Sequence, residues 1–214
     1  MMKGHGIAEA KTYLEGMEAR DAMEESMLAT LAYLGSHDMK GEAMPEYGMI
    51  ELKFGGCGWP LTMKINFDSD REVAIASVIM PTVCVKEKRS ALGELLHRIN
   101  FVTVLGQWKL DPRDGECQLK YTHFIGDAPM SLNQAERMVD ICLFAAHRYE
   151  DTIIPLMMGQ DPNMDDACDE YKEMMGADKS LSSFRELLLR AAEAKRKKEM
   201  ERIALEDVEE SENE

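Results

Sequence analysis

The chain is 214 residues long, 45% hydrophobic and 30% charged, with a formal net charge of -15. That length suits one ordinary domain with an appendage, and the acidity repels phosphate backbones and anionic bilayers, which argues against a nucleic-acid partner. Apolar runs fall short of the ~18 residues a membrane span needs, so no membrane insertion is expected.

Met1 to Gly6 hold no apolar signal core, so no export segment is expected. The five cysteines, Cys57, Cys84, Cys117, Cys142 and Cys168, are odd in number, scattered and free of C-x-x-C pairs. Neither a disulfide framework nor a zinc site follows from such spacing, and a cytoplasmic setting is the simplest expectation. Leu14, Met17, Met27, Leu28, Leu31 and Leu34 share a broad stripe, which predicts a first helix over Ala8 to Leu34. Gly35 suits the left-handed position after it, and Ser36 to Tyr47 reads as a loop.

Strands are predicted at Met49 to Phe54, Trp59 to Phe67 and Glu72 to Met80. In the second, Leu61, Met63, Ile65 and Phe67 alternate against Thr62, Lys64 and Asn66. The third is largely apolar and β-branched, as a central strand is. A charged helix follows over Lys86 to Asn100, with Leu92, Leu95, Leu96 and Ile99 as its stripe. Val102 to Leu110 and Glu116 to Phe124 then read as a hairpin whose tip is Asp114-Gly115. Ser131, with Gln134 three residues on, predicts the capped start of a long helix over Leu132 to Met158. Pro155 is expected to tighten or kink its last turns.

The element order α-β-β-β-α-β-β-α describes an α+β fold: an antiparallel five-stranded sheet with flanking helices, plus a C-terminal helical tail. One domain is expected over 8–160, an acidic linker over 161–179, and a charged helical tail over 180–214 whose acidic end is disordered. Phe184, Leu187, Leu188 and Ala191 give that tail an apolar patch.

This order resembles the YbjN-like family, described as bacterial sensory transduction regulators. The likeness is carried by Met80-Pro81, Lys86 to Arg89, Leu95 to Asn100, Leu105 to Asp111 and Asp114 to Glu116, with Tyr149 and Pro155-Leu156 at the end of the long helix. It covers 14–158 and is most specific over 86–116. It implies a fold like that of type III secretion chaperones, which are small, acidic, dimeric and cytoplasmic and bind polypeptides. The tail from 161 onward departs from it. The resemblance carries no catalytic residues, metal ligands or cofactor with it.

Chemistry is sparse in the residues themselves. Cys57 sits in Gly55-Gly56-Cys57-Gly58 without a nearby base in sequence, so a turn is the stronger reading than a nucleophile. Cys117 and Cys142 fall on inward stripes, where small apolar packing is the default. His97 and His123 have no spacing that demands a shared site. The acidic run from Asp165 to Glu170 lacks the ligand order of an EF-hand loop.

The expectation is a non-enzymatic protein-binding domain, chaperone-like or regulatory, that holds a polypeptide as a homodimer. Alternatives are a signal-transduction adaptor with one specific partner and, less favoured, a small cysteine-dependent enzyme. No cofactor or metal is expected. Leu92, Leu95, Ile99 and Trp108 are the expected dimer contacts. Met23 and Met27 are expected near a peptide groove, because methionine adapts to varied apolar partners. Acidic rims are expected to select basic residues in the partner.

Overall fold

The computed structural model describes residues 4–54 and 59–163. Cys57, Cys168 and the expected linker and tail from 164 onward lie outside the described residues.

Capping groups set where the helices begin. In α1 (Ile7–Glu15) the buried residues are Ile7, Ala10 and Leu14, at helical spacing. Asp21 opens α2 (Ala22–Ser36). Its Oδ1 accepts from the Glu24 N–H at 2.8 Å, and Glu24 Oε2 accepts from the Asp21 N–H at 2.9 Å. That reciprocal cap starts a new helix, so the single helix expected over 8–34 is two. Arg20 bridges the break, donating to the Leu14 carbonyl at 2.9 Å and to Glu25 at 2.7 Å. Gly35 does not end α2, which runs one residue further; Asp38 takes the left-handed conformation instead, at φ 51°.

The strands are β1 (His5–Gly6), β2 (Gly41–Met44), β3 (Met49–Phe54), β4 (Leu61–Asp68), β5 (Val73–Ile79), β6 (Gln107–Leu110) and β7 (Cys117–Phe124). They form one sheet in the order β1-β2-β3-β4-β5-β7-β6, and every neighbouring pair is antiparallel. The fold is α+β as expected, with seven strands rather than five. The two additional ones span two and four residues and include Gly6 and Gly41. Runs that short carry too little alternation to be read from sequence.

The remaining helices are α3 (Arg89–Val102) and α4 (Leu132–Met157). Ser131 and Gln134 cap α4 as the sequence predicts, with the Ser131 N–H donating to Gln134 Oε1 at 2.8 Å. Pro155 lies inside its last turn, and the helix runs two residues beyond it. Helix α4 packs against β5 and β7, α2 against α4 and β4, and α3 against β6 and α4. A tie across the core joins α2 to α4: the Tyr33 hydroxyl donates to the buried Asp140 carboxylate.

Alternation divides the sheet into two faces. Ile50, Leu52, Met63, Ile65, Ala76, Val78 and Leu119 are wholly buried beneath the helices. Their neighbours Glu51, Thr62, Lys64, Asn66, Ile75, Ile79 and Lys120 are only partly buried, on the opposite face. No helix among the described residues is long and apolar enough to cross a membrane.

Candidate protein-binding surface

The six side chains expected to meet a partner are core residues. Leu92, Leu95 and Ile99 are fully buried, and Trp108, Met23 and Met27 lie within the same core. Trp108 meets Tyr149 of α4 edge-on, with ring centroids 6.4 Å apart. The apolar stripe of α3 is therefore taken up by the chain's own β6 and α4. Periodicity identifies which face of a helix leaves water, and it does not say whose surface covers that face.

The structure presents a different set of apolar groups just beyond that stripe. Phe101 is 86% exposed, Val104 77% and Leu105 47%. They sit where α3 gives way to β6. The strand expected from Val102 begins only at Gln107, so Val102, Val104 and Gly106 do not share a strand face. The backbone explains the difference. Thr103 continues the helical pattern, its N–H donating to the Ile99 carbonyl at 3.0 Å and its hydroxyl to the same oxygen at 2.8 Å. Gly106 then turns the chain at φ +79°, a conformation that favours glycine. Phe101 in the last turn of α3, and Val104 and Leu105 between helix end and turn, project from the molecule.

Side chains fix this junction rather than leave it loose. Asn100 Nδ2 donates to the Trp108 carbonyl at 2.9 Å, and the Trp108 N–H donates to Asn100 Oδ1 at 2.8 Å. Strand β6 is the last in the sheet and pairs only with β7. The Asn100 amide thus stands in for a further strand at Trp108, closing the centre of an otherwise open edge. Strand addition at that position is blocked, and the accessible feature is the apolar cluster.

The far end of the β6–β7 hairpin is held by Arg89. Its guanidinium donates to the carbonyls of Cys84 at 3.2 Å, Pro112 at 2.9 Å, Arg113 at 3.0 Å and Asp114 at 2.8 Å. A Cβ at Gly115 (φ +87°) would lie 2.5 Å from the Cys84 carbonyl and 3.0 Å from Arg89 Nε. Glycine at the tip therefore serves two needs, the positive φ and room for the clamp. Beside it, hydrogen bonds from Arg113 hold the Asp111 carboxyl down at about 2. Arg89 belongs to the charged run 86–89; its carbonyl-binding role has no signature in the sequence.

The described thiols are placed for packing. Cys84, Cys117 and Cys142 are buried. Burial pushes the Cys84 thiol up and takes those of Cys117 and Cys142 to about 12, far from the thiolate a nucleophile needs. His97 is exposed on α3, while His123 lies on β7 opposite Ala74, its pKa lowered by burial. No hydrogen bond joins the two among the described residues.

No protein-family model matches the chain, and no curated protein matches it either. Among solved structures it is similar to a chain of the crystal structure of the ExsC–ExsE complex, at 14% identity and a TM-score of 0.45, over 63% of this chain and 97% of that one.

Proposed function

We propose that this chain is a non-enzymatic, polypeptide-binding α+β domain that works as a homodimer in a chaperone-like or regulatory role. The observation that carries this reading is the exposed cluster of Phe101, Val104 and Leu105 on a rigid junction. At about 150–250 Å² for an aromatic side chain and less for valine and leucine, their exposed fractions amount to roughly 300–400 Å². A patch of that size on a monomer commonly marks an interaction site. It is about half of the ~800 Å² that one partner contributes to a stable pair.

A second copy is the occupant that suits it. Residues 97 to 110 contain His97, Arg98 and Lys109 but no Asp or Glu. Two copies of a chain with a net charge of -15 repel each other over most of their surface, and least where carboxylates are missing. Apolar groups set against their own symmetry mates also bury no unpaired charge. The resemblance of 86–116 to YbjN-like proteins supports the same reading, because that span holds α3, the cluster and the hairpin.

Photo-crosslinking tests it. A benzoylphenylalanine placed at Val104 is expected to give a covalent dimer joined within 97–110 of the other copy. Crosslinks confined to one chain would remove the cluster from the interface.

A further inference from the structure

We infer that the sheet face left uncovered by the described helices is a second docking surface, for an amphipathic helix with acidic flanks supplied by a partner polypeptide. The inference rests on the polypeptide-binding reading and is independent of the homodimer.

Strand register builds the surface. Val73, Ile75, Ser77 and Ile79 of β5 point to this face, giving it an apolar line interrupted by one small hydroxyl. Ser77 lies opposite Lys64 of β4 on one side and Lys120 of β7 on the other. Ile79 lies opposite Thr62 and Gln118, with Lys53 and Lys109 one strand further out. Adjacent strands are about 4.8 Å apart, so Lys64 and Lys120 stand about 10 Å from each other across β5. That is close to the width of an α-helix. A helix laid along β5 would set an apolar stripe on Ile75 and Ile79 and bring carboxylates on its two flanks to the lysines.

Charge decides the sign of the partner. Glu51 is within 3.7 Å of Lys64 and 3.8 Å of Lys53, so that side is partly neutralised. Neither Lys109 nor Lys120 has a carboxylate in ion-pair reach among the described residues. Glu42 lies on β2 beyond Glu51, and Glu116 precedes β7 at the hairpin end. Asp68 of β4, opposite Val73 and paired with Arg71, stands at the far end of the same face, so acids bound it at three margins while lysines hold its middle. The expectation of acidic rims selecting a basic partner is reversed here. Nucleic acid is disfavoured by the net charge of -15, and a second copy in two-fold register would set lysine rows against each other.

The test uses the full chain and a fluorescein-labelled amphipathic helix of about five turns, built from Leu, Ala and Glu with the glutamates flanking the leucines. Its counterpart carries Lys for every Glu. Fluorescence anisotropy should show saturable binding of the acidic peptide, lost as added salt shortens the Debye length to about 3 Å. The pair Lys64→Gln and Lys120→Glu, both outside the 97–110 segment, should weaken it at least tenfold, with circular dichroism and sedimentation unchanged. Absence of binding, equal binding of the Lys peptide, or an affinity untouched by the charge reversal would each overturn the proposal. So would lysine-dependent binding of a single-stranded oligonucleotide in preference to the peptide. None of these outcomes alters the crosslinking result at Val104, so the two readings fail separately.

Discussion

Asn100→Ala is the substitution that most sharply tests how the β6 edge is closed. The change deletes two hydrogen bonds to the Trp108 backbone, of 2.9 and 2.8 Å, and leaves that peptide's outer N–H and C=O facing an open edge. At about 0.5–1.5 kcal/mol net per bond, the loss is about 1–3 kcal/mol. For a domain of this size each kcal/mol moves the melting temperature by about 2–4 °C, so a fall of about 2–12 °C is expected. The more specific readout is amide exchange. Trp108 lies on an edge strand, yet its N–H should be protected in the native chain and exchange faster in Asn100→Ala, while Leu119 on β7 stays slow. If Trp108 exchanges at the same rate in both proteins and the melting temperature holds, the amide does not close the edge.

Two further outcomes follow from burial. Leu95→Ala empties a fully buried position and should cost about 2–5 kcal/mol in urea denaturation; an unchanged midpoint would place Leu95 outside the core. Folding raises the Cys117 and Cys142 thiols to about 12 from their ordinary value of 9.0, so the native state keeps protons that the unfolded chain releases. Their contribution is whole below about pH 9 and is lost as pH rises from there through about 12. Denaturation midpoints should therefore fall with alkalinity over that window, and less so in Cys142→Ala; a flat profile contradicts the burial of these thiols.

The sequence was most readable where one periodicity ran long enough to be unambiguous. The alternation from Leu61 to Phe67 returned β4 and its inner face, and Ser131 with Gln134 returned the start of α4, because each pattern has one geometric solution. The break between α1 and α2 was less legible, since the apolar stripe continues across it while Asp21 and Glu24 restart the helix. The Val-x-Val run from Val102 resembles a strand, and the observed turn depends on Thr103 bonding back to Ile99 and on Gly106. The binding surface was the least legible part. Leu92, Leu95, Ile99 and Trp108 were identifiable as apolar groups that leave water, but only the folded chain shows them covered from within. Phe101, Val104 and Leu105 stand out once that stripe is assigned to the core. The lysines of the opposite sheet face required the register of β5 with β4 and β7, which brings Lys64 and Lys120, more than fifty positions apart in sequence, to either side of Ser77.

In the proposed homodimer, a second copy covers the apolar knuckle at the end of α3. Sedimentation equilibrium of the native chain beside the double variant Phe101→Asp, Val104→Asp measures this most directly. A dimer is expected for the first and a folded monomer with undiminished thermal stability of its core for the second. A native chain that sediments as a monomer at every concentration, or a double variant that remains dimeric, contradicts it.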